Sequence, residues 1–148
     1  MPAVNVNKWT QKGQVYLWQY VENTRNYPGW HLTADETFRR SFADLIRRML
    51  AAGYNCQKSL NVTSPAKEIL SVPNNQGGRA KWKSPKVLVL KLQKDKIRDD
   101  YFSLEDSENT VILTTGGQKL ELLTKCVLKI SKDIDYSIEI GKTQLWFW

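Results

Sequence analysis

The sequence predicts an α+β fold, a mainly antiparallel sheet with two packed helices at about 34–52 and 118–131. Three observations carry this expectation. Residues 33–53 have helix-cap residues at both ends and one apolar stripe between them. Several short segments, 86–93 most clearly, alternate apolar and polar side chains with a period of two. The later segments are joined by short connections, which favour antiparallel pairing. A chain of 148 residues is long enough for one domain with its own core. No repeat or linker divides it, so 1–148 is read as a single domain.

In chain order, the first dozen residues are polar and are expected to be loose. Residues 14–22 then read as a strand. Val15, Leu17 and Val21 point one way and Tyr16, Trp18 and Tyr20 the other, so both faces need cover. Residues 23–32 read as a loop around Pro28-Gly29. Thr33 is the expected N-cap of the first helix, with Glu36 completing a capping box and Gly53 as the stop. Phe38, Phe42, Leu45, Ile46, Met49 and Leu50 form its buried stripe. Its four arginines, Arg39, Arg40, Arg47 and Arg48, read first as a solvated face, with Glu36–Arg40 and Asp44–Arg48 paired at i,i+4, and otherwise as a nucleic-acid-binding face.

A second strand is expected over 55–63, and a short helix from Ser64-Pro65 to about Leu70. Residues 72–85 are rich in breakers and read as an exposed loop. Their Gly77-Gly78 lacks the Gly-Lys-Ser/Thr ending of a phosphate loop. The strand 86–93 should turn Leu88, Leu90 and Leu92 to the core. A charged turn at 94–100, a strand at 101–104, an acidic turn at 104–109 and a strand at 111–115 complete an antiparallel meander. The second long helix has capping-box spacing at Thr115 and Gln118, with Glu121 and Lys125 at i,i+4. Residues 134–140 and 143–148 form a hairpin about Gly141-Lys142. The aromatic ending at Trp146 and Trp148 reads as sheet pairing or as a homo-oligomer contact through the C-terminal strand.

Charge is the main functional signal. The net formal charge is +7, and residues 79–98 carry eight cations against Asp95 alone. The chain beyond them is net acidic. Such asymmetry points to a polyanion or an acidic protein as partner, or to basic and acidic segments that satisfy each other. Arg79, Lys81, Lys83 and Lys86 around Trp82 are the candidate nucleic-acid-binding residues. The cations would meet phosphates and the indole would stack on a base, or else fold back onto the core. Trp9, Trp30, Trp146 and Trp148 are the candidate interface residues of a second reading, a protein–protein or regulatory module with an acidic partner.

A small enzyme built on His31 ranks third, because the sole histidine has no partner evident in sequence. One histidine cannot build a multi-histidine metal centre. Asp99, Asp100, Glu105, Asp106 and Glu108 read as turn acids rather than a magnesium site. No cofactor is expected. Two distant cysteines, Cys56 and Cys126, do not make a disulfide framework and suit a reducing, cytoplasmic setting. No signal-peptide pattern or apolar run of membrane-spanning length is present, so no membrane association is expected.

Overall fold

The computed structural model describes residues 6–21, 29–52, 54–70, 81–93, 101–130, 136–140 and 143–148. Its architecture is α+β, and the described residues form nine strands in two sheets. A 3₁₀ turn at Val6–Lys8 precedes β1 (Val15–Tyr20), β2 (Trp30–Ala34) and the long helix α1 (Glu36–Ala51). Then come β3 (Cys56–Asn61), the single-turn α2 (Lys67–Leu70), β4 (Trp82–Lys83) and β5 (Val87–Leu92). The hairpin β6 (Phe102–Ser107) and β7 (Thr110–Thr115) leads into α3 (Gly117–Leu128). The strands β8 (Tyr136–Ile140) and β9 (Thr143–Phe147) close the order. Among the described residues no helix is long and apolar enough to cross a membrane.

Two sheets stand where one was expected, and neither is purely antiparallel. The first has the order β4-β1-β2-β9-β8 and the second β3-β5-β7-β6. β9 runs parallel to β2, and β7 runs parallel to β5. The meander is therefore corrected. β6 and β7 do form an antiparallel hairpin across Glu108 and Asn109. Yet the connection from β5 to β6 is long enough to skip one strand position, so β6 takes the outer edge and β7 inserts beside β5. The acidic turn also starts later than expected, because Glu105 and Asp106 belong to β6. Charged side chains suit an edge strand, where they discourage pairing with another chain.

α1 begins two residues later than the sequence suggests. Thr33 is held in β2 opposite Tyr16, and its hydroxyl donates to the Trp148 carbonyl at 2.6 Å. The cap is Asp35, whose Oδ1 accepts from Phe38 N at 2.8 Å while Oδ2 accepts from Gln14 N at 3.0 Å. One carboxylate thus satisfies a helix N-terminus and the approach to β1. Gly13 makes this contact feasible. Its φ is +78°, and a Cβ there would collide with Asp35 Oδ1 and Phe38 N. The helix ends at Ala51, with Ala52 extended as its C-cap.

α3 follows β7 with Gly116 as N-cap and no side-chain cap bond. Thr115, expected to cap it, is instead buried at the end of β7. The helical reading holds over the strand alternative, but the helix spans Gly117–Leu128 and Lys129 is its C-cap, short of the expected end near 131; Leu120, Leu123, Cys126 and Val127 are buried.

One core cluster takes side chains from both sheets and both long helices. Val15, Leu17, Trp30, Leu32, Leu145 and Phe147 come from the first sheet, and Leu60, Leu88, Leu90, Leu92, Val111 and Leu113 from the second. α1 adds Phe38, Phe42, Leu45, Ile46 and Met49, each worth roughly 1.5–3 kcal/mol of burial. The opposite face of the first sheet is aromatic. Trp18 and Tyr20 are buried there with Leu70, and Tyr16, Trp82 and Trp148 pack against them. β1 thus has apolar cover on both faces, as its two-sided pattern required.

The C-terminal strand is interior. β9 pairs with β2 on one side and β8 on the other, so it offers no open edge to a second subunit. The loop expected over most of 72–85, the turns expected at 94–100 and 141–142, and the helix stop expected at Gly53 lie wholly or partly outside the described residues.

Candidate nucleic-acid interface

Of the basic segment, residues 81–93 are described. Arg79 lies outside the described residues. Trp82 and Lys83 form β4, which pairs with Tyr20 and Gln19 of β1. Strand alternation sends their side chains to opposite faces of the sheet. The Trp82 ring is half-buried in the aromatic cluster. Lys83 sits over Trp30, 5.7 Å from the ring centroid, and bridges to Asp106 at 2.9 Å. Part of the basic segment is thus met by the acidic segment that follows it. Lys81 and Lys86 are exposed. Lys86 is anchored by its backbone, donating to Asn109 O at 2.7 Å and accepting from Val62 N at 3.0 Å.

Of the four interface tryptophans, Trp9 and Trp30 are buried in the core. Trp146 and Trp148 are half-buried on the aromatic face. Their rings stack at 6.1 Å between centroids, and Trp148 stacks on His31 at 6.0 Å. His31 is fully buried, with Trp18 stacked on it at 5.4 Å and Tyr20 edge-on at 4.9 Å. Its Nδ1 accepts from Trp148 Nε1 at 2.8 Å. An imidazole enclosed in this way presents no base to a substrate in solution. Among the described residues no group of three or more His, Cys, Asp or Glu side chains is placed to hold a metal ion.

A different set of cations does converge. A groove of about 440 Å³ lies between residues 8–12 and the outer flank of α1. Lys8, Lys12, Arg40 and Arg48 line it with the hydroxyl residues Thr10, Thr37 and Ser41. Asp44 is the one acid in the lining. Arg47 and Arg48 both bind its carboxylate. The hydrogen bond from Arg47 is the main cause holding the Asp44 carboxyl below its ordinary value. Arg40 pairs with Glu36 at 2.7 Å, but both side chains are largely exposed, so solvent screens the pair. The lining keeps a positive excess.

The groove is preformed by hydrogen bonds from both sides. Trp9 Nε1 donates to Ser41 O at 2.7 Å, and Lys12 N donates to Ser41 Oγ at 3.3 Å. On the other side Gln11 Nε2 donates to Asn61 O at 2.9 Å, and Asn61 N donates back to Gln11 Oε1 at 2.7 Å. A segment fixed in this way loses little further freedom when it binds. The sequence weighs the α1 arginines as a nucleic-acid-binding face or a solvated one, and the expected pairs Glu36–Arg40 and Asp44–Arg48 are present; what it does not show is that residues 8–12, expected to be loose, dock beside them. The available signal was Trp9, a large ring that needs a core, between Lys8 and Lys12.

No family model matches this chain, and neither a curated protein nor a solved structure gives a significant match.

Proposed function

We propose that this protein is a non-enzymatic nucleic-acid-binding module that holds backbone phosphates in the groove between residues 8–12 and α1. The observation that carries the reading is the convergence of Lys8, Lys12, Arg40 and Arg48 on one preformed concavity beside three hydroxyl residues. Cations, hydroxyls and backbone amides are the groups that meet phosphate oxygens, and they do so with little regard to base sequence. Lys81 and Lys86 supply further exposed positive charge. The basic balance of the chain favours encounter with any polyanion.

The test is fluorescence anisotropy with a labelled single-stranded oligonucleotide over a range of salt. Binding should weaken steeply as salt rises. Lys8→Ala with Lys12→Ala should lower affinity and reduce the salt slope by about 1.4, two phosphate contacts at ~0.7 each for a single strand. Lys81→Ala with Lys86→Ala should have the smaller effect. Absence of binding at low salt overturns the reading and makes an acidic protein surface the partner to test.

A further inference from the structure

The aromatic face of the first sheet carries two cross-strand rows of side chains. Trp18, His31 and Trp146 are register partners across β1, β2 and β9. In the next row Tyr16 pairs with Thr33. Trp148 completes it, donating its backbone N–H to Leu32 O at 3.0 Å and accepting from the Thr33 hydroxyl at 2.6 Å. The rings form a ladder. Trp18 stacks on His31 at 5.4 Å, His31 on Trp148 at 6.0 Å and Trp148 on Trp146 at 6.1 Å, with interplanar angles of 17–20°. One end of the ladder is closed, because Trp18 and His31 are fully buried with Tyr20 edge-on to both. The other end is open. Tyr16, Trp146 and Trp148 are half-buried there, and Thr33 is the one residue of β2 that is not buried.

We infer that the slot above Thr33, between Tyr16 and Trp148, takes an unpaired base of a single-stranded nucleic acid. This rests on the phosphate-binding reading of the basic groove and names the class of strand that the groove serves. Tyr16 and Trp148 stand two strand spacings apart, about 9–10 Å between backbones. A flat ring held between two others needs about 7–8 Å, so one base fits with its neighbours leaning in. Thr33 is a short floor that leaves this space. Neither row holds a carboxylate, a lysine or an arginine. The slot therefore suits an uncharged ring and leaves the phosphates to the cations of the groove. An indole and a phenol stack on any base, since every base has a π-face.

The slot and the groove adjoin along the chain. Tyr16 follows Lys12 by four residues, a span of at most about 14 Å. Hydrogen bonds fix the join. Gln14 N donates to Asp35 Oδ2 at 3.0 Å, and the Tyr16 hydroxyl donates to Gln14 Oε1 at 2.7 Å. A strand whose phosphates meet Lys8 and Lys12 thus brings a neighbouring base within reach of Tyr16. The bases of a duplex are paired and stacked on one another, and one of them could enter the slot only at the cost of unstacking.

The experiment is fluorescence anisotropy of the whole chain with labelled oligothymidylate and with a strand of the same length from which every base has been removed. Both probes carry the same phosphates, so their difference reads the bases alone. The native chain should bind oligothymidylate at least about fivefold more tightly, the least that one stacked base contributes. Tyr16→Val, a strand former at a half-buried position, should remove that preference. Its affinity for the abasic strand and its salt slope should stay unchanged, because stacking releases no counterions. Tyr16→Phe should keep the preference. Equal binding of the two probes by the native chain overturns the proposal. The phosphate groove still stands in that case if Lys8→Ala with Lys12→Ala lowers the salt slope. A preference that survives Tyr16→Val also overturns the proposal. Absence of binding to either probe overturns both readings.

Discussion

Trp148 donates its indole N–H to Nδ1 of His31 at 2.8 Å, joining the end of β9 to β2 from a separation of 117 residues. The bond makes Nδ1 an acceptor, so the neutral ring carries its proton on Nε2. Trp148→Phe keeps an aromatic ring against His31 but removes the donor. The buried acceptor then goes unsatisfied, at a cost of about 1–3 kcal/mol in urea denaturation. ¹⁵N chemical shifts of the native protein provide a direct check. A protonated Nδ1 at neutral pH contradicts the hydrogen bond.

Asp35 and Gly13 form the second coupled pair. Asp35→Ala removes both the cap of α1 and the acceptor for Gln14 N, and should cost about 1–2 kcal/mol. Gly13→Ala should cost at least as much, because the positive φ and the collision with Asp35 Oδ1 act together. In the background of Asp35→Ala part of the clash is gone, so the two effects should be less than additive. Strict additivity in thermal or urea melts would count against this contact.

These contacts also show what the sequence could reveal. α1 was legible because its stripe repeats over several turns, and β5 because Leu88, Leu90 and Leu92 alternate strictly with half-buried neighbours. Local pattern says little about which strand lies beside which. The parallel pairings of β2 with β9 and of β5 with β7 come from contacts distant in sequence. Two helix caps were misplaced for one reason: Thr33 and Thr115 have capping chemistry, but strand pairing claimed both before the helix began. The groove was hidden in the same way. Lys8 and Lys12 become neighbours of Arg40 and Arg48 only when Trp9 docks on Ser41.

The bridge between Lys83 and Asp106 joins the edge of one sheet to the edge of the other. Both side chains remain substantially exposed, at 51 % and 35 %. A double-mutant cycle of Lys83→Ala and Asp106→Ala should therefore give a coupling below about 1 kcal/mol, falling further with added salt. A coupling well above that value would mean that the pair is shielded from solvent.

Asp44 separates stability from binding. Its carboxyl titrates below its ordinary value, first because Arg47 hydrogen-bonds to it. A depressed folded value means that its contribution is present above the unfolded value of 3.8 and is lost as pH falls through the folded one. Because the side chain is 37 % exposed, that contribution should stay below about 1 kcal/mol. Asp44→Asn should thus lower stability slightly at neutral pH and make the acid limb of the stability curve shallower. The same change removes the one negative charge from the groove lining. Oligonucleotide affinity at low salt should rise while stability falls. If affinity instead stays constant or drops, phosphates do not bind beside Asp44, and the groove is not the phosphate site.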